Sequence, residues 1–175
     1  MIYFLIPIVI VVSDQASKYY MSNLLSLCSW GNCPTIEILP VFKLVVLHNY
    51  GAAFSFLDDA GGWQRWFLVS ISFGVSVFVA SWLYKVRRAE MILSFGLAFI
   101  LGGAIGNLID RVNQGYVVDF LLFHWNTNNF PAFNIADSAI FIGACFLILD
   151  ALIKPKEGND SSNERVADEK AAGKR

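Results

Sequence analysis

Four long apolar runs divide the chain, and polar, turn-rich segments separate them. Residues 2–12 (IYFLIPIVIVV) open the first run, which continues less purely to Tyr20. The others cover 63–86, 90–110 and 133–153. As a helix, 63–86 would be about 36 Å long at ~1.5 Å per residue, enough to cross a bilayer with some tilt. The first run has no Lys or Arg at its start and ends in Ser13-Asp14-Gln15-Ala16-Ser17-Lys18. It therefore predicts a retained transmembrane helix over 2–20 rather than a secretory leader. Asp14, Ser17 and Lys18 fall at i, i+3 and i+4 on one face of it. The third run contains Gly96, Gly102, Gly103 and Gly106, small residues that allow close helix contact in lipid. Between the first two runs, Gly31, Pro34 and Pro40 punctuate a stretch holding IEILPVFKLVVLHN, whose β-branched and aromatic residues predict short strands. Residues 111–132 predict a loop. The pattern describes an all-α membrane protein of four transmembrane helices, with a small extracytoplasmic β-sheet and loop between helices 1 and 2. Residues 1–153 form one integral-membrane domain. The polar, mixed-charge segment 154–175 reads as a disordered tail.

Composition agrees. The chain is 56% hydrophobic and 15% charged, whereas soluble domains carry about 25% charged residues. A net charge of -1 gives no basis for binding nucleic acid or an acidic ligand. The distribution of charge says more. Lys85, Arg87 and Arg88 lie in the short 85–88 connector and six basic residues lie in the tail, against four (Lys18, Lys43, Arg65, Arg111) elsewhere. That bias places the connector and both termini in the cytoplasm and turns segments 21–62 and 111–132 outward. Trp63, Trp66 and Phe67 sit where interfacial aromatics are expected. Cys28 and Cys33 can close a short loop in an oxidising compartment, but their spacing fits no strong motif and two unpaired thiols is the plainer reading. Two His and three scattered Cys make no zinc set, and no metal or cofactor is expected. His48 and His124 read as loop residues.

On this topology Asp14, Asn49, Asn107, Asp110, Arg111, Asp119, Asn134 and Asp137 all map to the outer membrane face. Ionisable groups beside apolar spans are costly and call for a reason. Several have simple ones. Asp14 can exit into the interface or pair with Lys18. Asp110, next to Arg111, can close a helix end. Asn134 and Asp137 suit the first turn of a helix, and Asp119 can be a solvated loop acid. Arg111 can meet a lipid phosphate or a substrate carbonyl. The more specific reading pairs Asp119 with Asp137. Two close carboxylates cannot both ionise easily, so one keeps a proton. The charged member takes a proton from water, and the neutral one hydrogen-bonds a scissile carbonyl and later protonates the leaving amine. The two are eighteen residues apart, so the 120–136 segment must fold back, which Pro131 and its Asn-rich turn permit. The Asp-Thr/Ser-Gly motif of soluble aspartic proteases is absent.

Five blocks carry a resemblance: Asp14-Gln15-x-x-Lys18, Asn49-x-Gly51-x-Ala53-Phe54, Gly106-Asn107-Leu108-Ile109-Asp110-Arg111, Val118-Asp119-Phe120 and Phe133-Asn134-x-Ala136-Asp137-Ser138. In order and spacing they resemble the signature blocks of bacterial lipoprotein signal peptidase (signal peptidase II). The likeness covers about residues 1–153, leaving out the tail and the Cys28/Cys33 loop. It implies a multi-pass aspartic endopeptidase of the bacterial inner membrane, with its active site at the outer face. It would cut a prolipoprotein just before a lipobox Cys that already carries a diacylglyceryl group. Asp119 and Asp137 would be the catalytic pair. Asp14, Asn49, Gly51, Asn107, Asp110, Arg111, Asn134 and Ala136 match positions that support the site or contact substrate. The partners implied are that prolipoprotein and membrane lipids, not nucleic acid. The amphipathic stretch 56–67 is a candidate lid. Two other readings remain: a small transporter, which would favour midplane acids and repeat symmetry, and a non-enzymatic scaffold whose polar residues only fix helix packing.

Overall fold

The protein was analysed as a computed structural model, which describes residues 2–29, 33–51, 62–87, 89–126 and 128–154. The tail beyond Lys154, Arg88 of the connector and residues 56–61 of the candidate lid lie outside them.

Four helices form where the apolar runs predict them: α1 (Ile2–Leu24), α2 (Trp63–Val86), α3 (Met91–Asn113) and α4 (Ile135–Ile153). Each is long and apolar enough to cross a membrane. Helix α3 packs against all three others, and more than half of its most apolar window is buried. The other helices turn most of their surface outward. Leu5, Ile8, Phe73, Phe78, Phe141 and Leu152 are all more than half exposed, as expected where lipid is the solvent. The helix core gathers Val79, Leu83, Leu93, Leu97, Ala98 and Leu101.

Glycines set how closely α3 meets its neighbours, two of them beside the site. A Cβ added at Gly103 would collide with the backbone carbonyl of Ala136 on α4, and one at Gly106 would lie 2.8 Å from Asp14 Oδ2 on α1. The small-residue face of α3 therefore lets two helices bring polar groups against its backbone.

The sheet extends further than the sequence pattern predicts. Strands β1 (Ile36–Leu39) and β2 (Phe42–Asn49) come from the first outer segment. Strands β3 (Val117–Trp125) and β4 (Asn128–Asn129) come from the segment after α3, where the pattern predicts a loop. The order is β1-β2-β3-β4, and every pairing is antiparallel. The run VVDFLLFHW has no alternation because its first half is buried on both faces; Val117, Val118, Asp119 and Phe120 are all buried. Such a run is hard to tell from loop or helix by period alone. His48 and His124 are accordingly strand residues rather than loop residues. The ring of His48 stacks on Tyr116 at 3.7 Å between centroids.

Cys28 and Cys33 form a disulfide, against the plainer expectation of free thiols. The Cys28 N–H donates to the Val46 carbonyl of β2 (2.8 Å), so the bridge fixes the α1–β1 segment to the sheet.

Candidate active site

The polar residues that the sequence maps to one face meet between α1, the C-terminal end of α3, the start of α4 and the β2–β3 ladder. The foldback of 120–136 occurs through the short β3–β4 hairpin. Asn126 takes a left-handed φ of 53°, a conformation Asn tolerates well. The chain then returns along β3. The Phe133 carbonyl accepts from the N–H groups of Phe120 (3.0 Å) and Leu121 (2.9 Å), and the Phe133 N–H donates back to Leu121 (3.0 Å). This delivers Asn134 and the first turn of α4 beside Asp119.

Asn134 is fully buried and touches both candidate carboxylates. Its Nδ2 donates to Asp119 Oδ1 at 2.7 Å, and its backbone N–H donates to Asp137 Oδ2 at 3.2 Å. Its Oδ1 accepts from the Asp137 N–H at 2.9 Å, completing a reciprocal helix cap. The simple reading of Asn134 and Asp137 as helix-start residues is thus correct, and the same cap ties Asp137 to Asp119. Asn107 Nδ2 donates to Asp137 Oδ1 at 2.7 Å. Asn49 Nδ2 donates to Asp119 Oδ2 at 3.1 Å, while its Oδ1 accepts from the Gly51 N–H at 3.1 Å.

A second buried cluster lies behind the first. Lys18 Nζ reaches Asp14 Oδ2 (2.7 Å), Asp110 Oδ2 (2.9 Å) and Asn107 Oδ1 (3.1 Å), which uses all three ammonium donors. Asp14 Oδ1 accepts from the Ala136 N–H at 2.8 Å, pinning the start of α4 to α1. Asp110 accepts from Gln15 Nε2 (2.8 Å) and from the Val118 N–H (3.3 Å), pinning β3 to α3. Asp14 therefore pairs with Lys18 rather than leaving for the interface. The ion-pair partner of Asp110 is Lys18, not its neighbour Arg111. Lys18 and Gln15 are the residues the sequence reading does not rank as site residues. The Asp14/Lys18 helical spacing was the available signal.

Asp119 and Asp137 line one cavity of about 430 Å³, with Asn49, Asn107 and Arg111 on its polar side and Phe130–Phe133, Ile140, Phe141 and Ala144 on its apolar side. Among the described residues Arg111 makes no ion pair. Its Nη2 donates to the Gly51 carbonyl at 3.2 Å, and its buried Nε has no partner among the described residues. The end of α3 that carries it is held by Arg65, whose Nε and Nη2 donate to the carbonyls of Arg111 (2.9 Å) and Val112 (2.7 Å). Burial, reinforced by the Asp137 charge, pushes the Asp119 carboxyl up from 3.8 to about 7, although Asn49 and Asn134 donate to it.

The family model for signal peptidase (SPase) II matches residues 6–153. The chain belongs to the signal peptidase II family. Among its relatives, a lipoprotein signal peptidase of Alteromonas mediterranea is 50% identical over 160 residues, 91% of this chain and 84% of the relative. The lipoprotein signal peptidase of Shewanella woodyi is 48% identical over 145 residues, 83% of this chain and 80% of that one. A bacterial membrane enzyme solved by the in meso method at 2.3 Å is similar in structure, with a TM-score of 0.73 and 28% identity over 90% of this chain and 94% of the other. The family's matched span takes in α2 to α4, all but the first four residues of α1, the whole sheet and both clusters. Signal peptidase II membership and the four apolar helices make this a multi-pass membrane protein.

Proposed function

We propose that the protein is an aspartic endopeptidase that removes the signal peptide from diacylglyceryl-modified prolipoproteins, cutting before the lipidated Cys with Asp119, Asp137 and water. One observation carries the assignment: the four aspartates gathered at the site divide by the charge of their partners. Asp14 and Asp110 are met by the Lys18 ammonium. The side-chain donors to Asp119 and Asp137 are the neutral amides of Asn49, Asn134 and Asn107. An ammonium holds a carboxylate ionised, whereas amides leave it free to gain or lose a proton. The two aspartates able to exchange protons are the two that line the cavity.

The pair holds one proton between them and titrates as a unit. With a peptide bond in the cavity, the ionised member accepts a proton from water, whose oxygen attacks the carbonyl carbon. The protonated member hydrogen-bonds the carbonyl oxygen and then supplies the proton that lets the amine leave. Arg111, whose Nε has no partner among the described residues, would receive a substrate carbonyl. Asn107, Asn134 and Asn49 orient the carboxylates, and the Gly51 N–H holds the Asn49 amide. Asp14, Asp110 and the Ala136 N–H fix the frame. Residues 1–153 form the catalytic domain and 154–175 a cytoplasmic tail. The basic connector supports cytoplasmic termini and a site at the outer face of the inner membrane, where the diacylglyceryl group would remain in lipid.

The test is cleavage of a diacylglyceryl-modified prolipoprotein by detergent-purified protein, with Asp119→Asn and Asp137→Asn alongside. Folded but inactive single variants are expected. Normal cleavage by either sinks the dyad, and a scaffold role predicts that both tolerate the change.

A further inference from the structure

A second cavity of about 510 Å³ meets the first at Asp119, and the two share Asn49 and Phe130–Ala132 in their walls. They are built differently. The first runs down α4 along Ile140, Phe141 and Ala144. The second takes no residue from any membrane-spanning helix. Its walls come from the disulfide, β2, β3 and the β3–β4 hairpin, and include Lys43 and His48. A peptide held with its scissile bond at Asp119 thus has two different directions in which to leave. An apolar signal segment suits the channel along α4, because that channel continues into the membrane. The polar chain on the other side of the bond must then pass over the sheet.

We propose that this second cavity is the subsite for the mature side of the substrate, and that Lys43 selects for an acidic side chain about three residues beyond the cleaved bond. The inference rests on the dyad reading of the first cavity. The spacing follows from the strand register. Asp119 is opposite Leu47 and Leu122 is opposite Lys43. Three residues of β3 thus separate the two levels, about 10 Å at ~3.3 Å per residue. An extended substrate lying along the strand covers that distance in about three residues. Lys43 is half-buried on β2 and makes no ion pair among the described residues. Its cross-strand neighbour Glu37 is exposed and would compete for it, which limits the preference. Burial holds His48 below its usual 6.5, so at neutral pH Lys43 supplies the positive charge on this wall.

The experiment uses full-length protein in detergent and three diacylglyceryl-modified prolipopeptides that differ only in Asp, Asn or Lys at the third mature residue. The readout is the ratio of kcat/KM values between peptides, for wild type, Lys43→Gln and Lys43→Glu. A partly exposed ion pair gives a preference of about three- to five-fold for Asp over Lys. The preference is expected to vanish in Lys43→Gln, reverse in Lys43→Glu and shrink in about 1 M salt. The same ratio in all three proteins overturns the subsite and leaves the peptidase reading standing. No cleavage of any peptide by wild type overturns the reading beneath it, and the subsite with it. A second readout does not depend on turnover. A photo-crosslinker at the third mature residue, bound to Asp119→Asn protein, is expected to label β2, and labelling of α4 instead overturns the proposal.

Discussion

Replacing Asp119 with Asn is expected to stabilise the protein, and to do so increasingly as pH rises. The folded state holds the Asp119 proton up to about pH 7, against 3.8 for the free side chain. Between those values the folded state binds more protons than the unfolded one, so stability is greatest below about 3.8 and falls as pH climbs to about 7. At ~1.4 kcal/mol per unit, ionised Asp119 costs the fold about 4 kcal/mol at pH 8 but under about 2 kcal/mol at pH 5. Asn carries no charge and escapes that cost. It does lose a hydrogen bond, because the amides of Asn49 and Asn134 donate to the two Asp119 oxygens and one would face the new NH₂ group. That loss is worth about 1 kcal/mol. The variant should gain about 3 kcal/mol at pH 8, or roughly 6–12 °C in Tm for a chain of this size, and under 1 kcal/mol at pH 5. The assay is thermal unfolding of wild type and variant in one detergent from pH 5 to pH 8. A Tm difference that does not change with pH, or a variant less stable at pH 8, refutes the account of Asp119 as a carboxylate held against its own ionisation.

Four further outcomes are expected. Cleavage should decline above about pH 7, towards tenfold per unit, as the pair loses its shared proton; a pH profile of kcat/KM that stays level to pH 9 contradicts this. Lys18→Met strands two buried carboxylates and should cost about 3–5 kcal/mol, read as the loss in unfolding free energy. Asn134→Ala removes the cap of α4 and the tie between the carboxylates; with about 1 kcal/mol for the cap, it should lower kcat more than it raises KM in steady-state cleavage. Serine at Cys28 and Cys33 opens a short loop, so about 2 kcal/mol should be lost, and reductant should lower the wild-type Tm but not the variant's.

The helices were legible in the sequence because each long apolar run exceeds what a strand or a soluble helix needs, and lipid imposes that length directly. The sheet was half legible. Strands β1 and β2 carry β-branched runs between prolines, whereas β3 is buried on both faces where it passes Asp119 and so shows no period. The candidate site residues were legible as types placed on one face, and the structure brings all of them together. Their partners were not legible. Nothing in Asp110-Arg111 says that Asp110 turns to Lys18, ninety-two positions earlier, because the pairing depends on how closely Gly106 lets α1 approach. The disulfide was equally indeterminate, since closing a loop of that size depends on where the sheet holds Cys28.

Asn107 joins the two buried clusters. Its Oδ1 accepts from Lys18 and its Nδ2 donates to Asp137, so the amide orientation is fixed from both ends. An aspartate there would put a carboxylate against Asp137, and a leucine would cost each neighbour one hydrogen bond. Only an amide passes the orientation of Lys18 on to Asp137 while keeping the ammonium out of contact with it. The frame needs an ammonium to hold Asp14 and Asp110 ionised, while the reaction needs Asp137 and Asp119 to share a proton. An ammonium touching the pair directly would hold both ionised, and the protonated member that the chemistry requires would be lost. Substituting Asn107 by Asp should therefore abolish cleavage while Lys18 keeps its pairs, and the loss should be partly relieved at low pH, where the added carboxylate is neutralised.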